Sequence, residues 1–178
     1  MRAARTTIII LGLIALAACG GHDLQVEEDI PTDLGELVQE TFDEMRETLR
    51  AHVDCLDGLT VNHSWEMDDR ARYDPANAII TLRAPATAAE FEFSLAHEVA
   101  HHLEEACPAQ LGLRPRFLAA QGHPEGTAWF EGPTWEETPS EQFASALGQV
   151  LTGRPDPGRR VSISEPALAL VAEWGEGS

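Results

Sequence analysis

The chain has 178 residues, 30 of them acidic and 12 basic, for a formal charge of −18 at pH 7. Every basic residue is Arg, and so strong an acidic excess excludes the basic footprint that nucleic-acid binding requires, as well as electrostatic docking on anionic lipid. The length suits one domain with a proper core, and the sequence contains no internal repeat or long low-complexity tract.

The N-terminus carries Arg2 and Arg5 ahead of a nearly all-apolar run from Thr7 to Ala18. About twelve residues are too few to span a bilayer as a helix, so the pattern reads as a secretory signal over residues 1–18. It ends in Leu16-Ala17-Ala18-Cys19, which resembles a bacterial lipobox. That resemblance implies cleavage before Cys19, lipidation of its thiol and a lipid-anchored place in the bacterial cell envelope; the alternative is an ordinary signal peptide with an incidental Cys. Residues 19–33 are polar and acidic with Gly and Pro, and read as a flexible tether to a folded domain over residues 34–178.

Asp33 is placed to cap a helix over residues 34–52, in which Leu34, Leu37, Val38, Phe42, Met45 and Leu49 fall at helical spacing. Phe42 and Met45 are expected in the core. Residues 59–65 read as a first strand containing His63. A turn at Asp74-Pro75-Ala76-Asn77, with Tyr73 just before it, leads into a second strand at residues 78–82.

Thr87-Ala88-Ala89-Glu90 is a capping box that opens the next helix, and Pro108 is expected to close it. Phe91, Leu95, Val99 and Leu103 form an apolar stripe at four-residue spacing. The same helix carries His97-Glu98-Val99-Ala100-His101, an H-E-x-x-H pattern. Residues four apart share a helix face, so both imidazoles can reach one metal ion, and Glu98 can take a proton from water bound there. The plainer alternative is two surface histidines beside a solvated Glu. Cys55 and Cys107 remain as an even pair once Cys19 is lipidated; a disulfide between them is expected, with Cys107 as a metal ligand the alternative.

Residues 108–135 are rich in Gly and Pro and contain Trp129, Phe130 and Trp135. They read as an irregular segment over the cleft, with His123 a loop residue. Thr138 then caps a helix with Pro139 at its first position, Phe143, Leu147, Val150 and Leu151 facing inward and Gly153 ending it. Residues 154–158 form a turn-rich linker before a last short helix over residues 165–174.

At this point the chain resembles the zincin peptidases, in which a strand precedes the H-E-x-x-H helix. Glu104 and Cys107 stand where metzincins place Gly and His, which excludes that branch. Pro139-x-Glu141-x-Phe143-Ala144 is similar to the P-x-E-x-F-A signature of a gluzincin group that includes lethal-factor-type catalytic domains. The resemblance implies a minimal α+β zincin-like domain: N-terminal helix, small sheet, H-E-x-x-H helix, then a second Glu-bearing helix. It implies Zn²⁺ on His97, His101 and Glu141, Glu98 as general base, and a peptide or protein substrate. Glu137-x-x-x-Glu141 offers a competing register with Glu137 on the metal, and Glu141 as a mere capping acid is the structural alternative. Two departures stand out: Ser145 replaces a common acidic residue, and Thr134 replaces a Tyr suited to stabilising an oxyanion. Tyr73, His123 or an Arg are the substitutes. A non-catalytic envelope module retaining the fold is the second functional expectation.

Overall fold

The computed structural model describes residues 24–177. The expected signal peptide, and Cys19 with its lipid, lie outside the described residues. A four-stranded sheet and five helices make a mixed α+β domain. The strands are β1 (Gln25–Val26), β2 (Thr60–Ser64), β3 (Ala71–Asp74) and β4 (Ile79–Arg83); the helices are α1 (Thr32–Thr48), α2 (Ala88–Ala106), α3 (Pro108–Gln121), α4 (Pro139–Thr152) and α5 (Glu165–Glu176).

The sheet order is β1-β2-β4-β3. β1 and β2 are parallel, as are β2 and β4, while β3 runs antiparallel to β4 and forms the edge nearer the site. The turn between β3 and β4 is the one the Asp74-Pro75-Ala76-Asn77 stretch predicts. Asp74 holds it together, its carboxylate accepting from the Ala76 backbone N–H at 3.0 Å and from Asn77 Nδ2 at 2.7 Å.

α2 forms as its sequence demands. Thr87 Oγ1 accepts from the Glu90 backbone N–H, and the Glu90 carboxylate accepts in return from the Thr87 backbone N–H, so both halves of the capping box are present. Phe91, Leu95, Val99 and Leu103 are all buried, as are Phe42 and Met45 of α1. α4 packs closely along α2. Gly148 makes this possible: a Cβ there would come within 2.9 Å of the Phe93 ring. That close crossing brings the first turn of α4 against the His97–His101 face of α2.

Four segments differ from expectation, the first being β3, a strand where only the approach to a turn is expected. Residues 24–33 are not tether throughout: Leu24 is buried, and Gln25 and Val26 pair in register with Thr60 and Val61. A two-residue parallel strand has no periodicity to read, and its backbone pairing outweighs its acidic composition. α1 begins at Thr32 behind Pro31 and ends at Thr48, so His52 falls beyond it. α2 ends at Ala106 with Cys107 as its cap, as expected of Pro108, but residues 108–121 are not irregular: Pro108 also starts α3, where the missing proline N–H sits at a first-turn position that has no intrahelical acceptor anyway. α3 buries Leu113 and Phe117 and closes on Gly122, whose φ of 87° is the left-handed conformation that favours Gly.

Cys55 and Cys107 are joined as a disulfide, which ties the segment after α1 to the α2–α3 junction. Their sulfurs, although close to His52, are therefore not a free ligand set with it.

Candidate metal centre

α2 supplies two imidazoles on one face, and the first turn of α4 brings a carboxylate to them. His97 Nε2 lies 3.1 Å from Glu141 Oε2, and His101 Nε2 lies 3.4 Å from the same oxygen. Ligand atoms of His97, His101 and Glu141 all lie within 4.8 Å of one another. Tetrahedral ligation with bonds near 2.0–2.1 Å puts donor atoms about 3.3 Å apart, so these two separations, which serve as hydrogen bonds in the metal-free chain, also match the spacing a metal ion would need.

The tautomers suit a metal as well. Glu104 Oε2 accepts from His101 Nδ1 at 2.9 Å, so that nitrogen keeps a proton, and it is Nε2 that would be left to present a lone pair once the ring is neutral. Glu104 is buried and fully used. Its Oε1 accepts from Trp129 Nε1 at 2.8 Å, and its Oε2 also accepts from Ser140 Oγ at 2.8 Å. The group therefore consists of residues that fit a divalent ion in both donor type and geometry.

In the metal-free chain the same groups hold one another in their charged forms. Burial alone would lower His101, but its hydrogen bonds to Glu104 and Glu141 prevail and raise it to about 10. Burial opposes ionisation of Glu141, yet the two histidines hold its carboxyl down at about 2. A carboxylate facing two imidazoles forms a centre in which a dication can displace protons.

Glu98 stands beside this group. Burial pushes its carboxyl up, while His97 and His101 pull it back and the Tyr73 backbone N–H favours the charged form. An open cleft of about 700 Å³ runs over the centre, bounded by β3, α2, the start of α4 and Trp135. The Trp135 ring stacks on His97 at 5.7 Å between centroids.

The other candidate residues are placed elsewhere. Glu137 is exposed and accepts from Thr134 Oγ1 at 3.0 Å, outside the metal-type group. Glu141 does not cap α4; its carboxylate faces the histidines. Nor does the Thr138 hydroxyl act as a cap, since it donates to the Thr134 carbonyl. His123 pairs with Gln142 Oε1 at 2.6 Å and does not line the cleft. His63 lies on β2 with its ring edge-on to Trp65.

Tyr73 lines the cleft, but its hydroxyl is committed. His102 Nε2 donates to the Cys55 carbonyl at 2.9 Å, which leaves Nδ1 bare to accept the Tyr73 O–H at 2.9 Å. Ser145, standing where an acid is common, is buried, and its hydroxyl has no hydrogen-bond partner among the described residues. The carboxylate that pairs with His101 is instead Glu104, contributed by α2 itself. The three-residue step from His101 to Glu104, which puts both on one helix face, was the available signal for it.

Comparison of the chain with family models, with curated proteins and with solved structures yields no match.

Proposed function

We propose that this chain is a zinc-dependent peptide hydrolase of the gluzincin type, held in the bacterial cell envelope by a lipid on Cys19. The observation that carries the reading is the convergence of His97 Nε2 and His101 Nε2 on one oxygen of Glu141, with Glu98 beside them at the floor of an open cleft. A ligand set of two imidazoles and one carboxylate is that of catalytic zinc sites, which leave one position open.

Zinc bound there supplies Lewis acidity toward a carbonyl oxygen and toward water. The remaining work falls to the chain's own groups. Glu98, whose carboxyl is raised by burial, takes the proton from the attacking water and delivers it to the leaving amine. His101 is kept in the ligating tautomer by Glu104. β3 is an edge strand among the described residues and borders the cleft, and apart from the Tyr73 N–H, which donates to Glu98, its outer backbone groups are available to an extended peptide.

A second reading, a binding module without catalysis, is favoured by one observation: the Tyr73 hydroxyl is turned onto His102 and is not free to meet an oxyanion.

The deciding experiment is Glu98→Gln on the zinc-loaded protein with a peptide library. The hydrolase reading expects zinc near one per chain in both forms and hydrolysis only in the unmutated one. Hydrolysis retained in Glu98→Gln would overturn the role of Glu98. Full zinc with no cleavage by either form would favour the binding module.

A further inference from the structure

Three guanidinium groups line the cleft of this acidic chain: Arg70, Arg72 and Arg159. Two are already neutralised. Arg70 forms a two-pronged pair with Asp156, at 2.8 and 2.6 Å, and Arg72 pairs with Asp69 at 2.7 Å. Arg159 makes no ion pair among the described residues. Its guanidinium carbon instead lies 4.2 Å from the centre of the Trp135 ring.

That position is built into the fold. The Asp156 side chain is only 4% exposed. Besides binding Arg70, its Oδ1 accepts from the backbone N–H groups of Gly158 at 2.7 Å and Arg159 at 3.0 Å. Gly158 is itself exposed, and a Cβ there would come within 2.7 Å of Arg70 Nη1, which Asp156 holds in place. The turn presenting Arg159 is thus clamped to the residue just before β3.

Trp135 in turn stacks on His97 at 5.7 Å. Arg159 is therefore no farther from the His97 ring than these two separations laid end to end. An extended peptide covers that span in about three residues. A guanidinium flat on an aromatic face keeps its N–H edge free, and that edge matches a carboxylate with two parallel hydrogen bonds.

We propose that Arg159, seated on Trp135, captures a carboxylate of the bound peptide about two or three residues from the metal centre. The carboxylate is either the peptide's C-terminus or an Asp or Glu side chain. Calling the peptide a substrate rests on the hydrolase reading; its capture does not. Glu105, Glu136 and the net charge of −18 all repel an anion, so a preference for one would run against the background field of the chain.

The test uses the zinc-loaded full chain carrying Glu98→Gln, so that peptides bind without turnover, with tryptophan fluorescence as the readout. The probes are acetyl-Ala-Ala-Phe-Ala-Ala as free acid and as C-terminal amide, and the amide with Asp or Asn at the last position. In at least one pair the anionic member is expected to bind about tenfold tighter, with the ratio falling toward one as salt rises. Adding Arg159→Gln should bring the ratio near one, while Arg159→Lys keeps part of it; zinc content, read on each variant, should stay at the parent level. The pair that shows the preference identifies the source of the carboxylate. Equal binding in both pairs, no binding of any probe, or a preference that survives Arg159→Gln would each overturn the proposal. Carboxylate preference in the Glu98→Gln chain, together with no cleavage of any peptide by the zinc-loaded chain that keeps Glu98, would sink the hydrolase reading and leave the capture site standing.

Discussion

Glu104 Oε2 accepts from His101 Nδ1 at 2.9 Å, while Ser140 of α4 donates to the same oxygen at 2.8 Å. One buried carboxylate thus orients the His101 ring on α2 and ties α2 to the helix that carries Glu141. Outer carboxylates of this kind support metal affinity by about 10- to 100-fold. Glu104→Gln should therefore weaken zinc binding by that factor in a chelator competition, because an amide meets Trp129, Ser140 and His101 with only one acceptor oxygen. Ser140→Ala, which removes one donor and leaves His101 paired, should cost less. Equal affinity in Glu104→Gln and the parent would show that the pairing does not support the site.

The parts of this site differ in how far they could be read from sequence, and the reason is the range of the interactions. α2 was legible because its cap and its stripe are local: Thr87 meets Glu90 three residues on, and Phe91, Leu95, Val99 and Leu103 repeat every turn. Glu141 was legible only through a motif, since forty residues separate it from His101. α3 was hidden by Pro108, Gly112 and Pro115, each of which reads as a breaker, although a proline at the first helical position breaks nothing. β1 was hidden because its evidence lies in β2, across 35 residues. The Asp156–Arg70 clamp spans 86 residues and leaves no local trace.

Glu141 and Glu137 make opposite predictions. Glu141 Oε2 faces both histidines, whereas the Glu137 carboxylate is held at the surface by Thr134. Elemental analysis should find about one zinc per chain in the parent and in Glu137→Ala, and well below that in Glu141→Ala. Loss in Glu137→Ala alone would require a different register for the start of α4.

Metal binding should expel protons. With His101 raised to about 10 by Glu104 and Glu141, the metal-free chain carries an imidazolium there at pH 7, and the metal needs the neutral ring. Calorimetry in buffers of different ionisation heat should report release of about one proton per zinc at pH 7. Apparent affinity should rise about tenfold per pH unit from 7 toward 9. The same shifts set the stability of the metal-free fold. His101 is raised from 6.5, so its contribution is complete below pH 6.5 and is lost as pH climbs through about 10. Glu141 is lowered from 4.5, so its contribution is complete above pH 4.5 and is lost as pH falls toward about 2. A midpoint of unfolding that stayed flat from pH 6.5 to 10 would contradict the His101–carboxylate pairing.

Gly148 sets the approach of α4 to α2, and with it the distance from Glu141 to the histidines. A Cβ at that position would meet the fully buried Phe93 ring at 2.9 Å, and Phe93 has no solvent side to swing toward. Gly148→Ala gains helix propensity of nearly 1 kcal/mol, but overpacking of this kind costs about 1–3 kcal/mol. Net destabilisation with weaker zinc binding is expected, read by denaturant unfolding and chelator competition. A more stable variant with parental zinc affinity would show that the helices can part without disturbing the centre.

The Cys55–Cys107 disulfide closes a loop with a sequence separation of 52. In the chain-entropy account, closure of such a loop stabilises by about 4 kcal/mol through the unfolded state. The link also anchors a functional chain of contacts: the Cys55 carbonyl accepts from His102, and His102 accepts from the hydroxyl of Tyr73 at the cleft wall. His102 is neutral in this arrangement, with burial holding it below its ordinary value. The double variant Cys55→Ser/Cys107→Ser avoids a stray thiol and should lower the unfolding free energy by about 2–4 kcal/mol. Zinc affinity should fall much less, because His97, His101 and Glu141 come from the α2–α4 crossing and not from the bridged segment. Loss of zinc in step with loss of stability would show that the bridge and the centre fold as one unit.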